Sequence, residues 1–233
     1  MAVGATDAGG GRWGDHNAER RRQILEAAIA VIGESPPGAD IPVQLIADRA
    51  GVKRSVIYRH FADRQDLDHR IREFAVQQAT AQLVPALSLE GSLEDAIFHV
   101  VDTYVRMVAA NPRMHEWIER GPGSEAPSGQ ALVAGTKAAI ATQLGEMVTL
   151  VAAMLGQSDP AIDSGAFGVV SMVDGMVTRW LDTSPSGLDA ARLADLLTSS
   201  IWYLIDGHAR ARGVVLDPKA QIADLLGAAS NRG

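Results

Sequence analysis

The chain has 233 residues, 47% of them hydrophobic, no cysteine and a formal net charge of −7. That is enough apolar surface for one sizeable core, or for a small domain joined to a medium one. The absence of cysteine excludes disulfides, thiolate zinc sites and cysteine nucleophiles. No run reaches the roughly 20 consecutive apolar residues of a membrane-spanning helix, and the opening residues lack a signal-peptide plan, so the expectation is a cytoplasmic protein.

The acidity is unevenly spread. Residues 1–75 carry 11 Lys plus Arg against 11 Asp plus Glu, and residues 76–233 carry 10 against 17. All the net negative charge therefore lies in the second part. That split suits a first part that meets an anionic partner and a remainder that stays clear of it, and it equally suits chance variation between two helical regions.

Residues 1–16 are Gly- and Ala-rich with no apolar period and are expected to be a disordered tail. From Asn17, the three- and four-residue steps of Ile24, Ala27, Ala28, Val31 and Ile32 predict a helix that ends before Ser35-Pro36-Pro37-Gly38. Pro42 suits a first helical position, and Val43, Ile46, Ala47 and Ala50 form a second, short apolar face broken by Gly51. Ile57 and Phe61 mark a third short helix, and Asp63 and Asp66 cap a fourth, whose face is traced by Leu67, Ile71, Phe74 and Gln78 up to about Pro85.

Further helices are predicted from Ser92 to Asn111 and over 113–120, followed by a Gly/Pro/Ser loop over 121–129. A long Ala-rich helix to about Leu155 comes next, then helices over 160–182, 188–212 and from Pro218 to about Ala228. No strand alternation and no repeat is present, so the fold class is all-α. The expected organisation is a tail (1–16), a three-helix domain (17–75) in which the motif described next makes a helix-turn-helix, and a helical domain (76–233), to which the faces described below give effector binding and dimerisation.

The chemistry concentrates between Val43 and Phe61. Ala47 and Gly51 are small where two short helices must cross, and Gly51 can take the left-handed conformation that ends the first of them. With Ile57 and Phe61 turned inward, Arg54 and Tyr58 share an outward ridge with Lys53, Ser55 and Arg59. Such a ridge suits the major groove of DNA, where cations reach base edges and Tyr58, His60 and Ser55 hydrogen-bond phosphates. The competing reading of the same residues is a helical hairpin whose polar groups only meet solvent. Arg20, Arg21 and Arg22 are read either as an arm reaching phosphate or as a solvated helix start.

The segments Ile24-Leu25-Glu26-Ala27-Ala28, Ile46-Ala47-Asp48-Arg49-Ala50-Gly51-Val52 and Ile57-Tyr58-Arg59-His60-Phe61, with Leu67, resemble the DNA-binding region of the tetracycline-repressor (TetR) family in residue type and spacing. The resemblance covers about fifty-five residues. It implies that Tyr58 and His60 contact phosphate, that Lys53, Arg54, Ser55 and Val56 face the groove, that Arg64 replaces a phosphate-binding lysine, and that Gln44 reaches the backbone. Two positions depart from the family pattern. Pro42 stands where a capping threonine is usual, which removes a phosphate contact, and Val56 stands where threonine or alanine is usual, which offers a methyl surface to thymine. Lys53, where serine is common, adds a cation.

In the second part, the helices over 160–182 and 188–212 are apolar on two sides. Val169, Val173, Val177, Trp180, Leu197, Ile201, Trp202 and Ile205 are the candidates for a twofold dimer interface, and the family resemblance implies the same helix pair. A larger monomeric core is the alternative. Tyr104, Met107, Trp117, Met147, Met154, Met172 and Met176 are candidates for an effector pocket, since Met and aromatic side chains adapt to varied apolar ligands; each also suits ordinary core.

His99, His115 and His208 lack carboxylates at ligand spacing, so no metal is expected. No GxSxG, P-loop, Rossmann glycine set or HExxH is present, so neither catalysis nor a cofactor is expected. The function expected is a homodimeric, ligand-responsive regulator, and a repressor is the commonest kind in the family, binding a palindromic double-stranded DNA operator. The alternative is a helical ligand-binding or adaptor protein that keeps the helix-turn-helix only as a fold element.

Overall fold

In the computed structural model, residues 9–86, 90–120, 140–146, 148–149, 152–153, 159–183 and 187–224 are described, with side chains from residue 16 onward, Arg120 excepted. The described residues are helical apart from turns and one isolated bridge between Ser92 and Gln221. The chain divides into two compact units, one of residues 1–77 with 113–132 and the other of residues 78–112 with 133–233.

The first unit starts with α1 (Gly9–Glu34), eight residues earlier than the apolar period predicts, so residues 9–16 are helix and not part of a disordered tail. Its apolar stripe Ile24, Ala28, Val31 and Ile32 is buried. Two seven-residue helices follow, α2 (Val43–Arg49) and α3 (Arg54–His60). Pro42 sits one position before the expected one, as the cap of α2 in extended conformation; with no side-chain donor or acceptor it makes no capping bond.

Gly51 takes φ +64°, the left-handed turn that its lack of a Cβ permits, and Val52 N–H donates to the Ala47 carbonyl at 2.9 Å. Ile41, Ile46, Ala47, Ile57, Phe61 and Leu67 close over α1 in one core.

The helix α4 (Arg64–Leu83) opens on the expected aspartates. Asp63 Oδ1 accepts from the Asp66 N–H at 2.8 Å, and Asp66 Oδ2 accepts from the Ala62 N–H at 2.9 Å. These bonds satisfy donors that the start of a helix leaves free. The buried face of α4 runs through Leu67, Ile71 and Ala75, whereas Gln78, expected to continue it, is exposed.

The helix α5 of the second unit (Leu93–Ala110) has a reciprocal cap. Ser92 Oγ accepts from the Asp95 N–H, and an Asp95 carboxylate oxygen accepts from the Ser92 N–H. The Ser92 hydroxyl also donates to Asp95 Oδ2 at 2.6 Å, and this bond first, then the one from the Ser92 N–H, holds the Asp95 carboxyl below the ordinary aspartate value. The C-terminal segment docks on this cap: Ile222 N–H donates to Gly91 O at 3.0 Å, Glu94 N–H to Pro218 O at 3.1 Å, and Lys219 pairs with Glu94. Pro218 lies in a turn and helix resumes at residue 222, so the last helix begins later than predicted.

The helix α6 (Pro112–Arg120) belongs to the first unit from Arg113 onward, which corrects the expectation that everything beyond residue 75 forms the second domain. Its Met114, Trp117 and Ile118 pack into the first core. Within the second unit, α7 (Ile162–Asp182) and α8 (Ala190–Ala211) fall within two residues of their predicted bounds, and α8 packs most extensively against α5. Val101, Val105, Val108, Val177, Leu193, Ala194, Leu197 and Ile201 make their shared core. The expected loop over 121–129 and most of the Ala-rich helix lie outside the described residues, although 140–146 are helical.

Candidate nucleic-acid interface

The length of α3 decides what its side chains can do. In seven residues it makes about two turns, so one inward pair, Ile57 and Phe61, uses up its buried face. Everything else projects outward: Lys53, Arg54, Ser55, Tyr58 and Arg59 are exposed, and Val56 and His60 are half-buried. Arg54 and Tyr58 are coupled across one turn, the guanidinium lying 5.6 Å from the ring centroid with Nη2 3.5 Å from the hydroxyl. The ring thus holds the guanidinium near the ridge, and a cation over an aromatic face costs little to displace in water. On α2, Gln44 is exposed and its amide donates to Asp48 Oδ1 at 2.7 Å.

Apart from Arg72, which is buried against Trp117, the described Lys and Arg side chains of this unit fall into two sets. Arg22 pairs with Glu19 and Glu26, Arg49 with Glu34, Arg70 with Asp66 and Glu73, and Arg113 with Glu116. Arg64 is also engaged, with Nε on Asp68 at 2.9 Å, a bond from Nη1 to the Ile41 carbonyl and Asp40 at 3.9 Å. It clamps the segment before α2 onto α4, and the phosphate contact that the resemblance implies for it would compete with these partners.

Lys53, Arg54, Arg59, Arg20 and Arg21 have no ion pair among the described residues, and all belong to α3 or to the stretch of α1 beside it. His60 registers their crowding: burial first, then Arg21, Arg59 and Arg20 in turn, push its imidazole below the ordinary histidine value. Like charges gathered without an internal anion are a site whose repulsion an external anion relieves.

The other expected sites are placed as follows. Tyr104, Met107, Met172 and Met176 are half-buried and pack on the core of the second unit. Trp117 belongs to the first unit, where the Arg72 guanidinium lies 4.0 Å from its ring centroid. Met147 and Met154 lie outside the described residues. Tyr104 donates to Asp174 Oδ1 at 2.8 Å, a carboxylate the sequence reading missed; its signal is that Asp174 is the lone charge on α7 between Asp163 and Arg179. A cavity of about 240 Å³ lined by Ala141, Thr142, Asp163, Ser164 and Phe167 includes none of the expected pocket residues.

Of the expected interface residues, Val177, Leu197 and Ile201 are buried in the chain's own core. Val169, Val173, Trp180 and Ile205 are half-buried against that core, with Trp180 Nε1 donating to Leu188 O at 2.7 Å, and Trp202 is half-buried. The apolar side chains that α7 and α8 do expose are Phe167, Leu196, Tyr203 and Leu204, Tyr203 at 71%. One histidine needs correcting as well: on α6, ligand atoms of His115 and Glu119 come within 4.8 Å of each other, so a carboxylate does stand at ligand spacing from His115.

Residues 24–71 match the family model described as bacterial regulatory proteins, tetR family. Over 209 residues the chain is 25% identical to an uncharacterised HTH-type transcriptional regulator of Mycobacterium tuberculosis, covering 89% of this chain and 86% of that protein. Among solved structures, a tetR-family transcriptional regulator from Streptomyces coelicolor superposes with a TM-score of 0.65 at 20% identity, covering 92% of this chain and 89% of its own. The transcriptional regulator FadR from Bacillus subtilis, solved in complex with stearoyl-CoA, gives a TM-score of 0.63 at 16% identity, covering 77% of this chain and 96% of its own. These two likenesses establish the fold.

Proposed function

We propose that this chain, whose residues 24–71 match the tetR family of bacterial regulatory proteins, is a member of that family and acts as a homodimeric repressor. On this reading it binds a palindromic operator and lets go when a small molecule occupies its second unit. It is a DNA-binding transcriptional regulator and not an enzyme. The observation that carries the finer reading is the sorting of cations. Arg22, Arg49, Arg70 and Arg113 are paired with carboxylates, whereas Lys53, Arg54 and Arg59 of the reader have no ion pair among the described residues.

Lys53, Arg54, Ser55 and Val56 then enter the major groove at the N-terminal end of α3, where Arg54 is suited to a guanine edge and Val56 to a thymine methyl. Tyr58, His60 and, once released from Asp48, Gln44 hold phosphates and fix register. One reader of two turns is a weak contact, and two copies about 34 Å apart on a palindrome supply the remainder.

The second copy is assigned to the exposed side of α7 and α8. Phe167, Leu196, Tyr203 and Leu204 stand there beside Gly168, Ser171 and Gly175, whose small size allows two helices to approach closely. The effector is assigned to the second unit, beside Met107, Met172 and Met176. Mobile thioethers suit an apolar molecule, and the Tyr104–Asp174 pair suits one polar group on it. Effector and DNA binding weaken each other by the same factor, as linkage requires.

Selection of duplexes from a random pool by the purified protein tests this reading. An inverted repeat is expected. Arg54→Ala is expected to weaken the selected duplex by about 1–3 kcal/mol and relax preference at one base pair, and Tyr58→Ala to weaken all sequences alike. Recovery of no sequence, with neither substitution having an effect, defeats the proposal.

A further inference from the structure

We propose that Arg20 and Arg21 of α1, together with Arg59 of α3, form a second phosphate-binding site that grips the DNA backbone beyond the groove read by α3. This rests on the DNA-binding reading above and assigns residues that the family resemblance leaves unassigned.

The geometry separates three consecutive arginines. Arg22 lies between Glu19 at 3.3 Å and Glu26 at 3.2 Å, one turn away on either side, and is neutralised within its own helix. Arg20 and Arg21 have no carboxylate partner among the described residues and are held by neutral groups. Arg20 Nη1 donates to Gln23 Oε1 at 2.7 Å, and Gln23 Nε2 donates to the Ala50 carbonyl at the end of α2 at 3.1 Å, so Arg20 is tied to the helix-turn-helix through one side chain. The Arg21 guanidinium lies 5.4 Å from the centroid of the Phe61 ring, the residue that closes α3.

Both therefore stand at the C-terminal end of α3 beside Arg59 and His60, and all three arginines act electrostatically on His60. Two properties make this a site and not a solvated helix start. The cations are pre-positioned by a hydrogen bond and a ring, which removes part of the ordering cost of binding. They also repel one another with no internal counter-charge, so a phosphate placed among them gains from all three. A backbone phosphate is the anion that the groove-facing residues of α3 bring to this end of the helix, and contacts of this type add affinity without adding sequence preference.

The test measures affinity of the full-length protein for its selected duplex across a salt series, with Arg20→Gln, Arg21→Gln, the double variant, Arg22→Gln and Arg21→Lys. Each glutamine at 20 or 21 is expected to lower the magnitude of the slope of log K against log salt by up to about 1.8, about 0.9 from each of the two copies, and to weaken binding by up to about thirtyfold near 0.15 M salt, with base preference unchanged. Arg22→Gln should leave both unchanged. Arg21→Lys should restore the slope, which separates charge from packing on Phe61, and thermal melting confirms that each variant is folded. A wild type that binds selectively with the double variant showing the same slope and affinity overturns the site while the DNA-binding reading stands. A wild type that binds no duplex removes both.

Discussion

His60 couples DNA binding to protonation. Burial, then the charges of Arg21, Arg59 and Arg20, hold its pKa below the ordinary histidine value, so the free protein carries it neutral near pH 7. A phosphate beside it favours the imidazolium, so binding takes up a proton and affinity rises as the pH falls. The fold responds with the opposite sign. The folded pKa is the lower one, so the unfolded chain binds more protons, and stability contributed at higher pH is lost as the pH falls through the ordinary histidine range toward the folded value. Binding isotherms at pH 6 and pH 8 should show tighter binding at pH 6, with His60→Gln flattening the difference. Equal affinities in the wild type would contradict the phosphate contact.

The outward residues of α3 were legible because Ile57 and Phe61 leave them no other face. The fate of Arg64 was not legible, because the Ile41 carbonyl that receives it is 23 residues away and is presented only after α4 has packed.

At the scale of elements, the reader was readable because its signals are local: Gly51 after Ala50, two aspartates around α4, and apolar steps that agree with two short helices. The place of α6 was not, since nothing in Pro112–Arg120 says which core receives it. The answer lies in Arg72, an arginine only 2% exposed, whose guanidinium lies against Trp117 and donates to Asp68 O at 3.3 Å. Burial pushes that guanidinium below its ordinary value, with Asp68 opposing and Arg64 adding to the shift. A buried cation needs a partner of high electron density, and Trp117 provides its face.

The two sides of α8 were legible as apolar, but not which side the protomer would use. Leu197 is fully buried against α5 and α7, whereas Leu204 lies on the exposed side. Leu197→Ala should therefore lower stability by about 3 kcal/mol, read by denaturant unfolding. Leu204→Glu should leave a folded protein that sediments as a monomer, and a Leu204→Glu dimer as stable as wild type would contradict the assignment of that face.

For the whole molecule, a net charge of −7 is unfavourable for a DNA-binding protein, and the distribution resolves it. The acidic excess belongs to residues 76–233, while in the first unit carboxylates pair with Arg22, Arg49 and Arg70, and Lys53, Arg54, Arg59, Arg20 and Arg21 have no ion pair among the described residues. This arrangement was half legible: the charge split reads directly from the chain, but the pairing of Arg49 with Glu34 or of Arg22 with two glutamates depends on the helices being formed.

The most direct test of the central claim is the salt dependence of wild-type binding to the selected duplex. The account predicts a linear, steep fall of log K with log salt, close to −0.9 for each phosphate neutralised, with contributions from Lys53, Arg59, Arg20 and Arg21 of each copy. Binding whose affinity does not change with salt, or no binding at low salt, would contradict it.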